Sequence, residues 1–243
     1  MYYTGVYRLI GAALHYQGRY HEALREHEKA YIAALEGADA WNMAQCKSWQ
    51  AYEWKALERY SDALQATEAA LRLTSPQSDT ESLRLKARLL AFKAENAAIT
   101  GDVQDVPFQL NASKELLVHL SPSHEEFDRV GWLQWSGICA LHLGQHELAI
   151  EHLQQALDEL PAHWTRRSVA TAIPLARAFA QIHDRKRTLA IAEQALPNIK
   201  ALHAETYMQD FVSYLYKDLL TNFPNDEYCQ TFTTKTQQQL VLA

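Results

Sequence analysis

Residues 133–157, LQWSGICALHLGQHELAIEHLQQAL, and residues 7–31, YRLIGAALHYQGRYHEALREHEKAY, are two copies of one pattern. Overlaid, they place Gly11 on Gly137, Gly18 on Gly144, Tyr20 on His146, Ala23 on Ala149 and Ala30 on Ala156. A weaker copy at 47–71 puts Ala51, Trp54, Tyr60, Ala63 and Ala70 in the corresponding places. Two degenerate copies follow: one around Gly101 with Ala94, Val103, Val106 and Leu110, the other with Ala178 and Ala190 and no glycine at its turn. The alanine-like landmark then falls at Ala23, Ala63, Val106, Ala149 and Ala190, with spacings of 40, 43, 43 and 41. A fixed period of this length is the signature of stacked helical hairpins.

Each repeat makes physical sense as two antiparallel helices. A small residue in the first helix (Gly11, Ala51, Ala94, Gly137, Ala178) lets a neighbour approach, while Tyr7, Ile10 and Leu14 recur at helical steps. Gly18, Gly101 and Gly144 stop that helix, because glycine takes the left-handed conformation at little cost. In the second helix Ala23 and Ala30, or Ala149 and Ala156, share one stripe. Pro76, Pro122 and Pro161 close the second, third and fourth repeats.

This pattern resembles the tetratricopeptide repeat (TPR) family over roughly residues 2–203, best in the fourth repeat through Gly137, Ala140, Gly144, Ala149, Leu153, Ala156 and Pro161. The family's standard unit is about 34 residues, so each repeat here carries about one extra turn per helix. Such long units look like the C-terminal regions of bacterial helix-turn-helix transcriptional regulators and peptide-pheromone receptors. No helix-turn-helix segment precedes the first repeat helix, so a fragment or a stand-alone module is expected. The expected fold is all-α: a right-handed α-solenoid of about five TPR-like hairpins (2–37, 38–77, 78–121, 122–162, 163–203). A capping helix over 204–223 carries Phe211, Leu215 and Leu219, and residues 224–243 are expected as a short helix or loose tail.

Composition narrows the function. In 243 residues there are 23 basic and 29 acidic side chains, a net charge of −6, which disfavours direct nucleic-acid binding by this chain. Three distant cysteines, Cys46, Cys139 and Cys229, argue against a disulfide framework or structural zinc; the first two read as packing residues and the third as exposed. No run suits a membrane span and no leader is evident, so a cytoplasmic protein is expected. Phosphate loops, nucleophile elbows and zinc helices are missing as sequence strings. His142 and His146 are separated by the turn glycine Gly144, and His15, His21 and His27 recur at steps of six, so all read as ordinary exposed or hydrogen-bonded histidines. Most of the six tryptophans read as core.

The reading is therefore a non-enzyme without metal or cofactor, whose concave groove binds a peptide or protein segment, as in the sensor region of a regulator. A helical enzyme or cofactor carrier and a self-associating scaffold, with a possible homodimer, are the alternatives. The family resemblance implies groove positions at Arg8, Ala12 and His15; Gln45, Ser48, Tyr52 and Lys55; Arg88, Ala91 and Glu95; Gln134 and Ile138; Leu175 and Phe179. The clamp with which some members hold a C-terminal carboxylate is not matched at Arg8, Ala12, Ser48 and Tyr52. Arg84 and Arg88, one turn apart, suit a carboxylate or phosphate, with Glu81 and Glu95 as the competing partners.

Overall fold

The computed structural model describes residues 2–118, 120, 124 and 126–241. Among them are ten long helices in consecutive hairpins: α1 (Tyr2–Tyr16) with α2 (Tyr20–Glu36), α3 (Ala40–Ala56) with α4 (Tyr60–Thr74), α5 (Thr80–Thr100) with α6 (Asp105–Leu117), α7 (Arg129–His142) with α8 (His146–Glu159), and α9 (Thr165–Gln181) with α10 (Arg185–Leu202). Then come α11 (Glu205–Asp210), a π turn (Phe211–Leu215), α12 (Tyr216–Asn222) and α13 (Glu227–Val241). No strand occurs among the described residues. Contacts divide the chain into an N-terminal body, Met1–Trp135, and a C-terminal body, Ser136–Ala243.

The turns within hairpins share one backbone solution. Gly18, Gly101 and Gly144 have φ of 70°, 84° and 71°, and the following N–H reaches back to the carbonyl five residues earlier: Arg19 to Leu14, Asp102 to Ala97, Gln145 to Ala140. The same bonds close the repeats that lack glycine, where Glu58 (φ 58°) and His183 (φ 59°) take the left-handed position and Arg59 and Asp184 bond to Trp54 and Phe179. Tertiary packing therefore imposes the turn even where the residue resists it.

These turns also fix the register, and in the fifth repeat they correct it. Five residues beyond the turn lie Ala23, Ala63, Val106 and Ala149, all buried, and in the fifth repeat Thr188, also buried; Ala190, the expected landmark, is exposed. Thr188 takes the place because its hydroxyl satisfies itself on the Asp184 carbonyl at 2.8 Å. The small residue of the first helix is likewise Ala176, seven before His183, although Ala178 is buried too.

Close approach is tightest at two glycines. A Cβ on Gly11 would sit 2.4 Å from the His27 ring, and one on Gly137 would sit 2.5 Å from Leu153 Cγ and 3.2 Å from the Ala149 carbonyl. Pro76 and Pro161 fall just beyond α4 and α8 as expected, whereas Pro122 lies outside the described residues.

In the C-terminal body, Phe211, Leu215 and Leu219 are fully buried and share a cluster with Val169, Ile173 and Ala176 of α9. Their strict four-residue steps would drift off a 3.6-residue helix face; the π turn between Phe211 and Leu215 absorbs the drift. Residues 227–241 form a full helix rather than a loose end, and it buries Cys229, Phe232 and Leu240 in the same cluster. The expected exposed Cys229 is thus a core residue. Burial pushes its thiol up to about 11, as it does that of Cys46.

Candidate binding face of the N-terminal body

In this body the first helices α1, α3 and α5 pack side by side, which brings residues some forty positions apart in sequence into contact. Arg8 of α1, half-buried, donates from Nη1 to Asn42 Oδ1 at 2.5 Å, and its guanidinium lies 5.2 Å over the Trp41 ring. From α5, Arg88 Nη2 reaches Gln45 Oε1 at 3.2 Å and Ser48 Oγ at 3.3 Å on α3. Gln45 and Ser48 are each only 1% exposed.

Burial holds the Arg8 pKa below its ordinary value, and the like charge of Arg88 pushes the same way, against Cys46, Glu126 and Asp39. Among the described residues no carboxylate is in ion-pair contact with Arg8, Arg84 or Arg88. Around them, Arg8 Nε, Arg88 Nε, Gln45 Nε2, Trp41 Nε1 and Arg84 Nε are buried nitrogens that meet no acceptor. All five are donors.

Arg84 does not stand beside Arg88 as a second surface cation. It is 1% exposed and donates from Nη1 to the Phe127 carbonyl at 2.7 Å, so it ties α5 to the segment before α7. Neither Glu81 nor Glu95 pairs with either arginine. Glu95, nearly buried, instead accepts from Lys55 Nζ at 2.6 Å and from Trp135 Nε1 at 3.1 Å.

An aromatic row continues the face. Trp49 and Tyr52 centroids are 5.8 Å apart, Tyr52 and Phe92 4.6 Å, Phe92 and Trp135 6.5 Å, and Trp135 and Phe127 5.3 Å. Lys55 lies 5.5 Å over Phe92. Burial, the largest influence, raises the Tyr52 phenol pKa, although Arg88 and Lys55 oppose it. Gln134 is half-buried on α7.

His15 turns to the other edge of α3. Its Nδ1 lies 3.0 and 3.1 Å from the two oxygens of Glu53, which is fully buried, and His27 Nε2 approaches the same carboxylate at 3.5 Å. His27 is itself fully buried and stacks on Trp49 at 5.5 Å. His15 is hydrogen-bonded and His21 exposed, as expected, whereas His27 is fully buried; His15 on α1 and His27 on α2 converge on Glu53 and are not scattered around one helix. Sequence reading also missed Glu53; the only signal was a carboxylate on the inward face of α3, one turn from Trp49.

The tryptophans are not core. All six are half-buried, and four carry a cation over the ring: Arg8 on Trp41, Arg59 on Trp54, Lys114 on Trp132 and Arg167 on Trp164. In the C-terminal body the register correction moves the implied positions. Leu175 and Phe179 are buried beside Ala149 and Leu153, while Ile138 is partly buried against that cluster. Arg177 stands at the corrected step and bonds Asp218 at 2.8 Å.

The hairpins, the repeated turn and the side-by-side first helices define an α-solenoid of TPR-like repeats. The chain is similar in fold to a Podosopora anserina protein named for kinesin light chain nearly identical TPR-like repeats, with a TM-score of 0.52, 16% identity, and coverage of 81% of this chain and 95% of that one. A single-substitution variant of that protein gives a TM-score of 0.53 at 16% identity, covering 81% of this chain and 94% of the other. No family model matches the chain, and no curated protein matches it. Among the described residues, no helix is long and apolar enough to cross a membrane.

Proposed function

We propose that the chain is a non-catalytic protein-interaction module that takes an extended peptide segment on the first-helix face of its N-terminal body. Arg8, Gln45, Ser48 and Arg88 receive a carboxylate of that segment, and the row Tyr52, Phe92 and Trp135 receives its apolar side chains. The observation that carries this reading is the set of buried donors without acceptors beside two guanidiniums that touch no carboxylate. Buried donors left unmatched cost about 1–3 kcal/mol each, and a carboxylate brings acceptor lone pairs and the opposite charge together. The TPR-like fold supports a binding scaffold in general terms.

Calorimetric titration with peptides pairing an acidic with an aromatic residue, and with their Asn or Gln counterparts, tests it. Arg88→Ala should weaken the acidic peptide about tenfold or more, near 1.4 kcal/mol, and leave the amide peptide unchanged. Tyr52→Ala should weaken both. Equal affinity for acid and amide peptides, undiminished in both variants, removes the reading. The repeat length favours a second reading, in which the bound segment is the signal of a transcription regulator; an in-frame DNA-binding segment ahead of Met1 would support it, and its absence from the encoding gene would end it.

A further inference from the structure

On α3, Trp41, Gln45, Ser48 and Tyr52 follow one another at steps of four, three and four, so they share one side of the helix. The two neighbouring first helices each bring a guanidinium to this stripe. Arg8 of α1 is held over Trp41 and bonded to Asn42, and Arg88 of α5 is bonded to Gln45 and Ser48. Their attachment points lie one helical turn apart, about 5.4 Å along the axis of α3, and the like charge of Arg88 bears on Arg8. Donors therefore converge from three helices: Arg8 Nε on α1, Trp41 Nε1 and Gln45 Nε2 on α3, and Arg88 Nε on α5 are all buried and meet no acceptor. Gln45 is 1% exposed, so bulk water does not serve its amide. Ser48 Oγ accepts from Arg88 and keeps its own proton to give. The acidic side chains that act on Arg8 from a distance do not fill the place: Asp39 is committed to the backbone and side-chain N–H groups of Asn42, and Glu126 is exposed.

We infer that the acidic group this face holds most tightly is a phosphomonoester dianion, carried on the bound segment as a phosphoserine or phosphothreonine, with a carboxylate as the weaker occupant. The inference rests on the peptide-binding reading and names the chemistry of its ligand. Charge selects the group first: two guanidiniums without an ion-pair partner match a phosphomonoester of about −1.5 to −2 at pH 7 better than a single carboxylate. Shape selects it second. A carboxylate is flat and offers two oxygens, whereas a phosphoryl group offers three, arranged so that each can face a different helix. Both arginines present planar forks suited to phosphoryl oxygens, and their spacing of one turn lets one group bridge them. Tyr52, next along the stripe and stacked on Phe92, gives a residue flanking the phosphoryl group an aromatic surface, which favours a peptide-borne group over the free ion.

The test uses the full chain, with calorimetry for affinity and NMR of the Trp41 indole N–H, assigned through Trp41→Phe, for location. The probes are inorganic phosphate and three peptides that pair an aromatic residue with phosphoserine, glutamate or glutamine. The phosphoserine peptide should shift the Trp41 signal saturably and bind about tenfold or more tighter than the glutamate peptide or inorganic phosphate. Arg8→Ala and Arg88→Ala should each bring the phosphoserine-to-glutamate ratio close to one, with the glutamine peptide bound as before to report an intact fold. Arg187→Ala, at an exposed arginine of the C-terminal body, should leave the ratio at its parent value. A glutamate peptide that binds as tightly as the phosphoserine peptide, and more tightly than the glutamine peptide, overturns this inference and leaves the peptide reading standing. A phosphoserine preference that survives both arginine variants, that Arg187→Ala removes equally, or that leaves the Trp41 signal unmoved also overturns it. Inorganic phosphate that binds as tightly as the phosphoserine peptide overturns the peptide-borne source. Equal binding of all three peptides, or binding of none, removes the reading and the inference together.

Discussion

At the scale of single residues, the turn positions and the two packed glycines make opposite predictions for the same type of change. Glu58 pays a left-handed backbone penalty at φ 58° that glycine would not, so Glu58→Gly should raise stability by about 1 kcal/mol. Gly144→Ala, at φ 71°, should lower it by a similar amount, about 1 kcal/mol, although a Cβ there meets no atom within 4 Å. Gly137 lies within a helix, where alanine ordinarily helps by about 1 kcal/mol. There the clash wins: with the Ala149 carbonyl at 3.2 Å unable to yield, Gly137→Ala should cost about 1–3 kcal/mol net in urea denaturation. The cysteines give a chemical check. All three are buried, and with the thiols of Cys46 and Cys229 near 11, native protein at pH 8 should show no fast reaction with an aromatic disulfide reagent, whereas denatured protein shows three thiols.

Among the elements, α3, α5 and α10 begin at aspartates that cap them, whereas α2, α4, α8 and α9 begin without a side-chain cap. Asp39, Asp79 and Asp184 each accept the backbone N–H three residues on, from Asn42, Ser82 and Arg187, all at 3.0 Å. Asp39→Ala should destabilise by about 1 kcal/mol through the lost α3 cap. That backbone bond is the largest influence holding the Asp39 pKa below its ordinary value. The folded carboxyl is therefore the stronger acid: its stabilisation is complete above the unfolded pKa of about 3.9 and is lost as pH falls through the lower folded value. Acid titration of the Asp39→Ala variant should accordingly show a smaller stability loss below pH ~4 than the parent. The α13 helix makes an element-level prediction of its own. Deleting 224–243 uncovers Phe211, Leu215 and Leu219, each worth about 1.5–3 kcal/mol when buried. Emission from Trp164, the one tryptophan after residue 135, should then report unfolding at lower urea than in the parent chain.

For the whole molecule, period and small-residue landmarks were enough to read hairpins, turns and their order, because close helix approach demands small side chains at fixed intervals whatever else varies. Where the pattern decayed, in the fifth repeat, alanine was a poor guide: Thr188 replaces it by bonding its own helix, and only the backbone turn at His183 reveals the register. The candidate face was legible in outline, since Arg8, Gln45, Ser48, Tyr52 and Arg88 do converge across α1, α3 and α5. What the tertiary structure alone decided is which of these groups are already satisfied. It committed Arg84 to the Phe127 carbonyl and Glu95 to Lys55 and Trp135, buried Glu53 between two histidines, and left the donors around Arg8 and Arg88 unmatched. Periodicity along a chain records which side of a helix is buried. The pairing of polar groups depends on atoms from helices some forty residues away, and no local pattern carries that information.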